Sequence, residues 1–236
     1  MPQDVSNPNR PQARDDFVTT SENTSITFDA LANDGRGSGL RFWSFDQSDP
    51  TNPTTFAELP GGATVGLGSD GLPRYKPGNK FDYLAAGETA TETFTYSVRL
   101  GNGEISTATV TVLVTGVDDP TRIESVRVHL TEGDDSADIS TSGQLVVTDP
   151  DSPAAVVPST LQGQYGVFTV DEDGSWTYQA DGPHDEFDDG KTYFEIFRVN
   201  SADGTAKATV TLEIMGTADE PAMLGAMAGP DLVVFA

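Results

Sequence analysis

Apolar residues recur at every second position in several stretches of the chain. Ala108, Val110, Val112 and Val114 alternate with positions that include Thr109 and Thr111, and Thr115 continues the polar side. Ala208, Val210, Leu212 and Ile214 repeat the pattern against Lys207, Thr209, Thr211 and Glu213. Phe94, Tyr96 and Val98 alternate with Thr95 and Ser97, and Val126, Val128 and Leu130 with Arg127 and His129. Successive side chains of a strand point to opposite faces, so these stretches predict half-buried antiparallel strands with one polar face. The segments NDGRGSG, LPGG, SDGLP, GNG, DEDG and SADG supply turn chemistry between them. No long stretch holds a helical period, so the expected class is all-β.

Two blocks occur twice. Residues 87–94, GETATETF, resemble residues 190–197, GKTYFEIF, and residues 109–116, TVTVLVTG, resemble residues 209–216, TVTLEIMG. A period of roughly 100 residues exceeds that of solenoid repeats and suits an immunoglobulin-sized sandwich. The expected organisation is a disordered head at 1–12, a first sandwich at 13–116, and a short acidic linker at 117–120. A second sandwich follows at 121–216, then a tail or the start of a further repeat at 217–236.

Charge narrows the partners. Asp and Glu number 37 against 13 Lys and Arg, a formal net charge of −24. Nucleic acids and anionic membrane surfaces both require cations, so neither is an expected partner. The balance favours solubility or cation binding. With no Cys, disulfides and thiolate metal sites are excluded. No apolar run approaches the ~20 residues of a membrane span, so membrane insertion is not expected. The start, MPQDVSNPNRPQ, lacks the layout of a secretory signal. That leaves an intracellular protein, export by another route, or a piece of a longer chain.

The acids gather where the copies meet in sequence. Pro120 fixes its own φ and pushes Asp119 towards an extended conformation, which pins Asp118 and Asp119 in the linker. Glu22 lies near the start of the first copy, and Asp149 and Asp151 flank Pro150 in TDPDS. Residues two apart on an extended segment point to the same side. Carboxylates so placed repel one another unless a hard cation joins them, and Ca²⁺ takes 6–8 oxygen ligands where Mg²⁺ demands a strict octahedron. A solvated acidic face with ordinary Asp-Pro and Asp-Gly turns is the competing reading.

The second copy resembles a VCBS repeat, a module of large bacterial surface and RTX-type secreted adhesins that act in cell adhesion and biofilm. The residues that carry the likeness are SGQLVVTDPDS, GQYGVFTVDEDGSWTYQAD and SADGTAKATVTLEIMGTADEP. The first copy is similar to bacterial cadherin-like tandem modules through ARDDFVTTSENTSITFDALANDG, PRYKPGNKFDYLAAGETATETFTYSV and STATVTVLVTGVDDP. The resemblance implies two tandem immunoglobulin/cadherin-like antiparallel β-sandwiches at a bacterial cell surface, with neighbouring repeats of the same chain or fibre as partners. It also implies interdomain Ca²⁺, held by Glu22, Asp118 and Asp119 with Asp149 and Asp151. Glu132, Asp219 and Glu220 would serve the next junction. One departure stands out: where the second copy has Asp149-Pro150-Asp151, the first has Asp34-Gly35-Arg36. That substitution weakens the expectation of a full cluster around Asp15 and Asp16. No GGxGxD nonapeptide is present.

Catalysis finds no motif: GxSxG, HExxH and a phosphate loop are all missing. His129 is expected on an outward strand position, and His184, in DGPHDEFDDG, at the surface. The expectation is therefore a non-enzyme. Trp176 in DGSWTY is expected in the core. In LRFWSF, strict alternation sets Phe42 on one face and Trp43 and Phe45 on the other, and both faces cannot fill one core. An alternative function follows: a carbohydrate-binding module that stacks a polysaccharide or cell-surface glycan on Trp43 and Phe45, against burial under the following loop. A third reading makes Leu232, Val233, Val234 and Phe235 a strand that joins a neighbour's sheet in a self-assembling fibre.

Overall fold

The computed structural model describes residues 12–35, 39–45 and 52–218. Among them there is no helix, and so none long and apolar enough to cross a membrane. The chain divides into two compact units. The first runs through Pro120 and includes Asp149–Pro153, and the second comprises Thr121–Thr148 with the chain from Ala154. Residues 1–11 of the expected head and 219–236 of the expected tail lie outside the described residues, as does the apolar strand expected at 232–235.

Among the described residues the first unit holds eight strands. They are β1 (Asp16–Ser21), β2 (Ile26–Thr27), β3 (Arg41–Ser44), β4 (Phe56–Glu58), β5 (Thr64–Leu67), β6 (Pro73–Lys76), β7 (Thr89–Arg99) and β8 (Ile105–Thr115). They form two four-stranded sheets, ordered β1-β8-β7-β3 and β2-β6-β5-β4. The inward residues are those of the predicted alternation: Phe94, Tyr96 and Val98 on β7, and Ala108, Val110, Val112 and Val114 on β8, are all buried. Val65 and Tyr75, fully buried, come from the other sheet.

The second unit holds β9 (Arg122–Ile123), β10 (Val126–Thr131), β11 (Thr141–Gln144), β12 (Val147–Thr148), β13 (Ser159–Gln162), β14 (Gly166–Val170), β15 (Ser175–Ala180), β16 (Thr192–Asn200) and β17 (Lys207–Met215). Its sheets are β10-β17-β16 and β11-β15-β14-β13, with a small β12-β9 pair. Trp176 is in the core as expected, beside Phe168, which stacks on Phe197 at 4.7 Å. Each unit is thus an all-β sandwich whose core lies between its sheets. The expectation of antiparallel strands needs one correction, because alternation does not fix strand direction: β10, which holds Val126, Val128 and Leu130, runs parallel to β17, and β1 parallel to β8, while the other pairs are antiparallel.

The face assignment of LRFWSF needs correction. β3 pairs with β7 through Arg41↔Arg99 and Phe42↔Val98, then skips to Ser44↔Ser97. Trp43 is the extra residue of a β-bulge, and a bulge resets the alternation. Phe42 and Phe45 therefore meet in the core with ring centroids 4.6 Å apart. Phe45 is 7% exposed and cannot stack a sugar. Trp43 alone takes the other face.

Tyr96 secures the start of the first unit. Its hydroxyl donates to the Ala30 carbonyl at 2.8 Å and lies 3.1 Å from the Arg14 carbonyl. Burial and the nearby Asp34 and Asp16 carboxylates push its pKa above the tyrosine range. Tyr96→Phe should destabilise the first unit by about 1–3 kcal/mol, because it leaves a buried acceptor unpaired. Urea unfolding with resolved transitions is the measurement. An unmoved first-unit midpoint would show that the hydroxyl holds nothing.

Candidate functional site

The same device closes both units, and it explains the glycine before each acidic run. β1 leads into Glu22, whose N–H donates to the Thr115 carbonyl of β8 at 3.0 Å. β8 leads into Gly116, where a Cβ would lie 2.4 Å from the Ala85 carbonyl oxygen. Only glycine passes there, and its backbone exchanges bonds with Gly87 and Glu88. Val117 then donates its N–H to Glu22 Oε1 at 2.5 Å. In the second unit Glu132 donates to the Met215 carbonyl at 2.8 Å, and Gly216 approaches the Asp188 carbonyl as Gly116 approaches Ala85. Thr217 donates its N–H and its hydroxyl to Glu132 Oε2, at 2.8 and 2.9 Å.

The copies differ by one hydroxyl. Val117 has none to offer, and Glu22 Oε2 is buried without a hydrogen-bond partner. Glu22 is 1% exposed. Around it the first unit collects other acids. Asp119 donates its N–H to Asp151 Oδ2 at 3.0 Å. Asp149 Oδ1 accepts from the N–H groups of Asp151 and Ser152, at 3.2 and 2.8 Å, which fixes the Asp-Pro-Asp turn. Asp151 Oδ1 is a second buried oxygen without a partner.

Electrostatics tie the group together. Burial raises the Glu22 pKa, the Val117 N–H opposes that, and the charges of Asp119, Asp82 and Asp151 add to the rise. Burial raises that of Asp151 too, with Asp149 and Asp118 adding repulsion. Glu22, Asp118, Asp119, Asp149 and Asp151 thus share one neighbourhood. Asp82 joins them and was missed from sequence. A signal existed: Asp82 stands five residues before Gly87, as Asp185 stands five before Gly190. Glu132 is 4% exposed in the second unit, while Asp219 and Glu220 lie outside the described residues.

The donor chemistry suits a hard cation: only oxygen ligands, two of them buried and bare. The geometry is not that of a finished cage. Among the described residues no group of three or more acidic or histidine side chains is arranged to hold a metal ion. A further acidic group at the other end of the first unit is already engaged. Asp15 Oδ1 accepts the Thr109 N–H and Asp34 Oδ1 the Arg14 N–H, both at 2.8 Å. Asp16 Oδ2 is buried there without a partner. Arg36 lies outside the described residues.

The histidines divide. His129 is on an outward strand position, paired with Glu213 at 2.8 Å. His184 is not at the surface as expected: its side chain is 11% exposed and stacks on Phe187 at 5.0 Å. Its ring nitrogens face acceptors only, Glu186 on Nδ1 and Asp181 with the Tyr165 carbonyl on Nε2. Burial alone would lower its pKa, but these partners outweigh burial and raise it. Trp43 is half-buried, with the Arg99 guanidinium 4.4 Å and the Arg41 guanidinium 5.4 Å from its ring centroid.

Residues 8–113 match the family described as a bacterial Ig domain. No curated protein matches the chain. Among solved structures, Drosophila N-cadherin EC1-4 aligns at 17% identity over 86% of this chain and 49% of its own, with a TM-score of 0.47. Human CDH23 EC21-23 aligns at 18% identity over 88% and 70%, also at 0.47. Protocadherin Gamma C5 EC1-3 gives 13% identity over 89% and 69%, at 0.47. The chain spans about half the length of the N-cadherin fragment it matches. The first unit is therefore similar to bacterial immunoglobulin-like domains. Such domains are typically extracellular structural or adhesion modules, and no enzyme family is indicated.

Two pH dependences follow. The folded His184 pKa is raised, so its contribution is full below its ordinary value of 6.5 and is lost as pH rises through the folded value. His184→Asn, which tolerates the positive φ of 65° at this position, should flatten that part of the second unit's stability-pH profile. An unchanged profile would remove His184 as the cause. Glu22 and Asp151 are carboxylates with raised pKa values, so without added metal the first unit should be most stable below their ordinary 4.5 and 3.8. That stability declines as pH rises through the folded values. Glu22→Gln keeps the acceptor for Val117 and removes the charge. In chelator at neutral pH it should melt at or above the wild-type temperature, and a clear drop would contradict the electrostatic account.

Proposed function

We propose that the chain is a calcium-stiffened adhesion or spacer module of a bacterial surface or secreted protein, built from a cadherin-like copy and a VCBS-type copy. The observation that carries this reading is the pair of bare buried oxygens, Glu22 Oε2 and Asp151 Oδ1, among carboxylates that no cation offsets among the described residues. Ca²⁺ supplies positive charge and open coordination to oxygen ligands. Glu22 contributes the oxygen its Val117 bond leaves over. Asp151 contributes Oδ1, and Asp118, Asp119 and Asp149, whose charges act on the same pair of carboxyls, are the further oxygen donors this reading enlists.

The consequence is mechanical. Asp118 and Asp119 belong to the linker 117–120, so their engagement fixes that segment to the end of β1. Linker stiffness is what a spacer needs, and nothing in this arrangement requires a reacting group. The partners on this reading are neighbouring repeats. The −24 charge fits a protein that works where divalent cations are plentiful.

Thermal melting in Ca²⁺ against EGTA tests the reading. A ligand at 100 times its Kd that binds only the folded state adds about 2.7 kcal/mol. Hydrogen exchange of residues 117–119 should slow in Ca²⁺, and Asp118→Asn with Asp151→Asn should lose most of both effects. Equal melting and equal exchange in Ca²⁺ and EGTA would sink the proposal. Equal effects from Mg²⁺ would remove the calcium assignment.

A further inference from the structure

The bulge in β3 creates a second feature that the acidic end does not explain. Arg41 and Arg99 are direct cross-strand partners, and like charges so placed repel. Both flank Trp43, at 5.4 and 4.4 Å from its ring centroid. The chain carries 37 acids, yet among the described residues neither guanidinium makes an ion pair with a carboxylate. Arg74, Lys80, Arg127 and Lys191 all do. Gly103, at φ +93°, lies in the turn after β7, beside the Arg99 guanidinium.

We propose that Arg41, Trp43 and Arg99 form a binding face for the carboxylates of an acidic glycan. A guanidinium over an aromatic ring is held in place by the ring, while its N–H donors at the edge remain available. Those donors form a planar fork that matches a carboxylate in bidentate fashion. An anion bound between the two arginines also removes their mutual repulsion. The net charge of −24 opposes a densely charged polymer such as nucleic acid. Salt screens that repulsion beyond ~8 Å at physiological strength, so a polymer with spaced carboxylates and uncharged hydroxyl faces is compatible with the site. The inference names a ligand class for the adhesive role and involves no metal.

The test is run in EGTA, which separates its outcome from that of the calcium reading. The probes are hyaluronan and polygalacturonate oligosaccharides, carboxyl-reduced hyaluronan, and polyglutamate, with Trp43 emission and calorimetry as readouts. At least one acidic glycan should bind, and the carboxyl-reduced form should not. Arg41→Gln and Arg99→Gln should each weaken binding by about tenfold or more, the effect of losing a charge-assisted hydrogen bond. Arg99→Lys, which keeps the charge and loses the fork, should also bind more weakly. Lys76→Gln, on a different sheet, should bind as wild type, and circular dichroism should show each variant folded. No binding by either acidic glycan overturns the proposal. So does full affinity in Arg99→Gln or Arg99→Lys. Tighter binding of polyglutamate than of both glycans would replace it with an acidic protein partner.

Discussion

The parallel pairing of the first long strand of each unit with its last is the constraint on which the rest depends. β1 lies in register with β8 from Asp16↔Val110 to Ser21↔Thr115, and β10 with β17 from Val126↔Val210 to Thr131↔Met215. A parallel pair brings both strand ends out at the same end of the sandwich. The residue after β1 must then meet the residues after β8. That is why Glu22 receives the Val117 N–H and Glu132 the Thr217 N–H. An antiparallel pair would have sent them to opposite ends. The acids of the linker face a buried carboxylate because of strand direction.

Burying carboxylates is costly unless they are hydrogen-bonded or paired, and the two units answer that cost differently at matching positions. On β7, Glu92 sits in the core and takes the Tyr75 hydroxyl at 2.6 Å and the Lys80 ammonium. On β16, Glu195 has the same spacing from Tyr178, but it accepts the Tyr165 N–H at 2.5 Å, and the Tyr178 hydroxyl is left buried without a partner. At the closing glutamates the balance reverses: Glu132 has the Thr217 hydroxyl, and Glu22 has a valine in its place. Each unit therefore satisfies one of its two buried glutamates well and leaves a bare polar atom beside the other. In the first unit that atom is a charged oxygen among further acids.

Much of this was legible in the sequence, because period-two alternation is a direct record of which face is buried. Every inward residue of β7, β8 and β17 read from that pattern is in a core. The doubled blocks marked the repeat, and the acids of TGVDDP, TDPDS and TSENTS belong to one neighbourhood. What was not legible has physical causes. Alternation carries no strand direction, so the parallel pairs were invisible. A single inserted residue shifts every later side chain to the other face, so Trp43 as a bulge misassigned Phe45. His184 reads as a loop residue, but a left-handed backbone turns its ring under Phe187 and Tyr165. Asp82 carried no motif of its own, and only its offset from Gly87 tied it to the second copy.

The bulge and the acidic end belong to one electrostatic argument. A chain with so many carboxylates and so few cations can neutralise only part of its charge internally, and where it spends its cations is informative. Lys80 is committed to a buried glutamate, Arg74 and Lys191 to exposed acids, where a pair is worth little, and Arg127 to the half-buried Glu213. Among the described residues none is spent on Glu22 or Asp151, where a cation would offset the repulsion of the neighbouring acids. Two others are set side by side around an indole, where they oppose each other. A fold selected for stability alone would have moved a cation from the second place to the first. That the charges are distributed the other way round is what supports the two proposals, a cation at the strand end and an anion at the bulge.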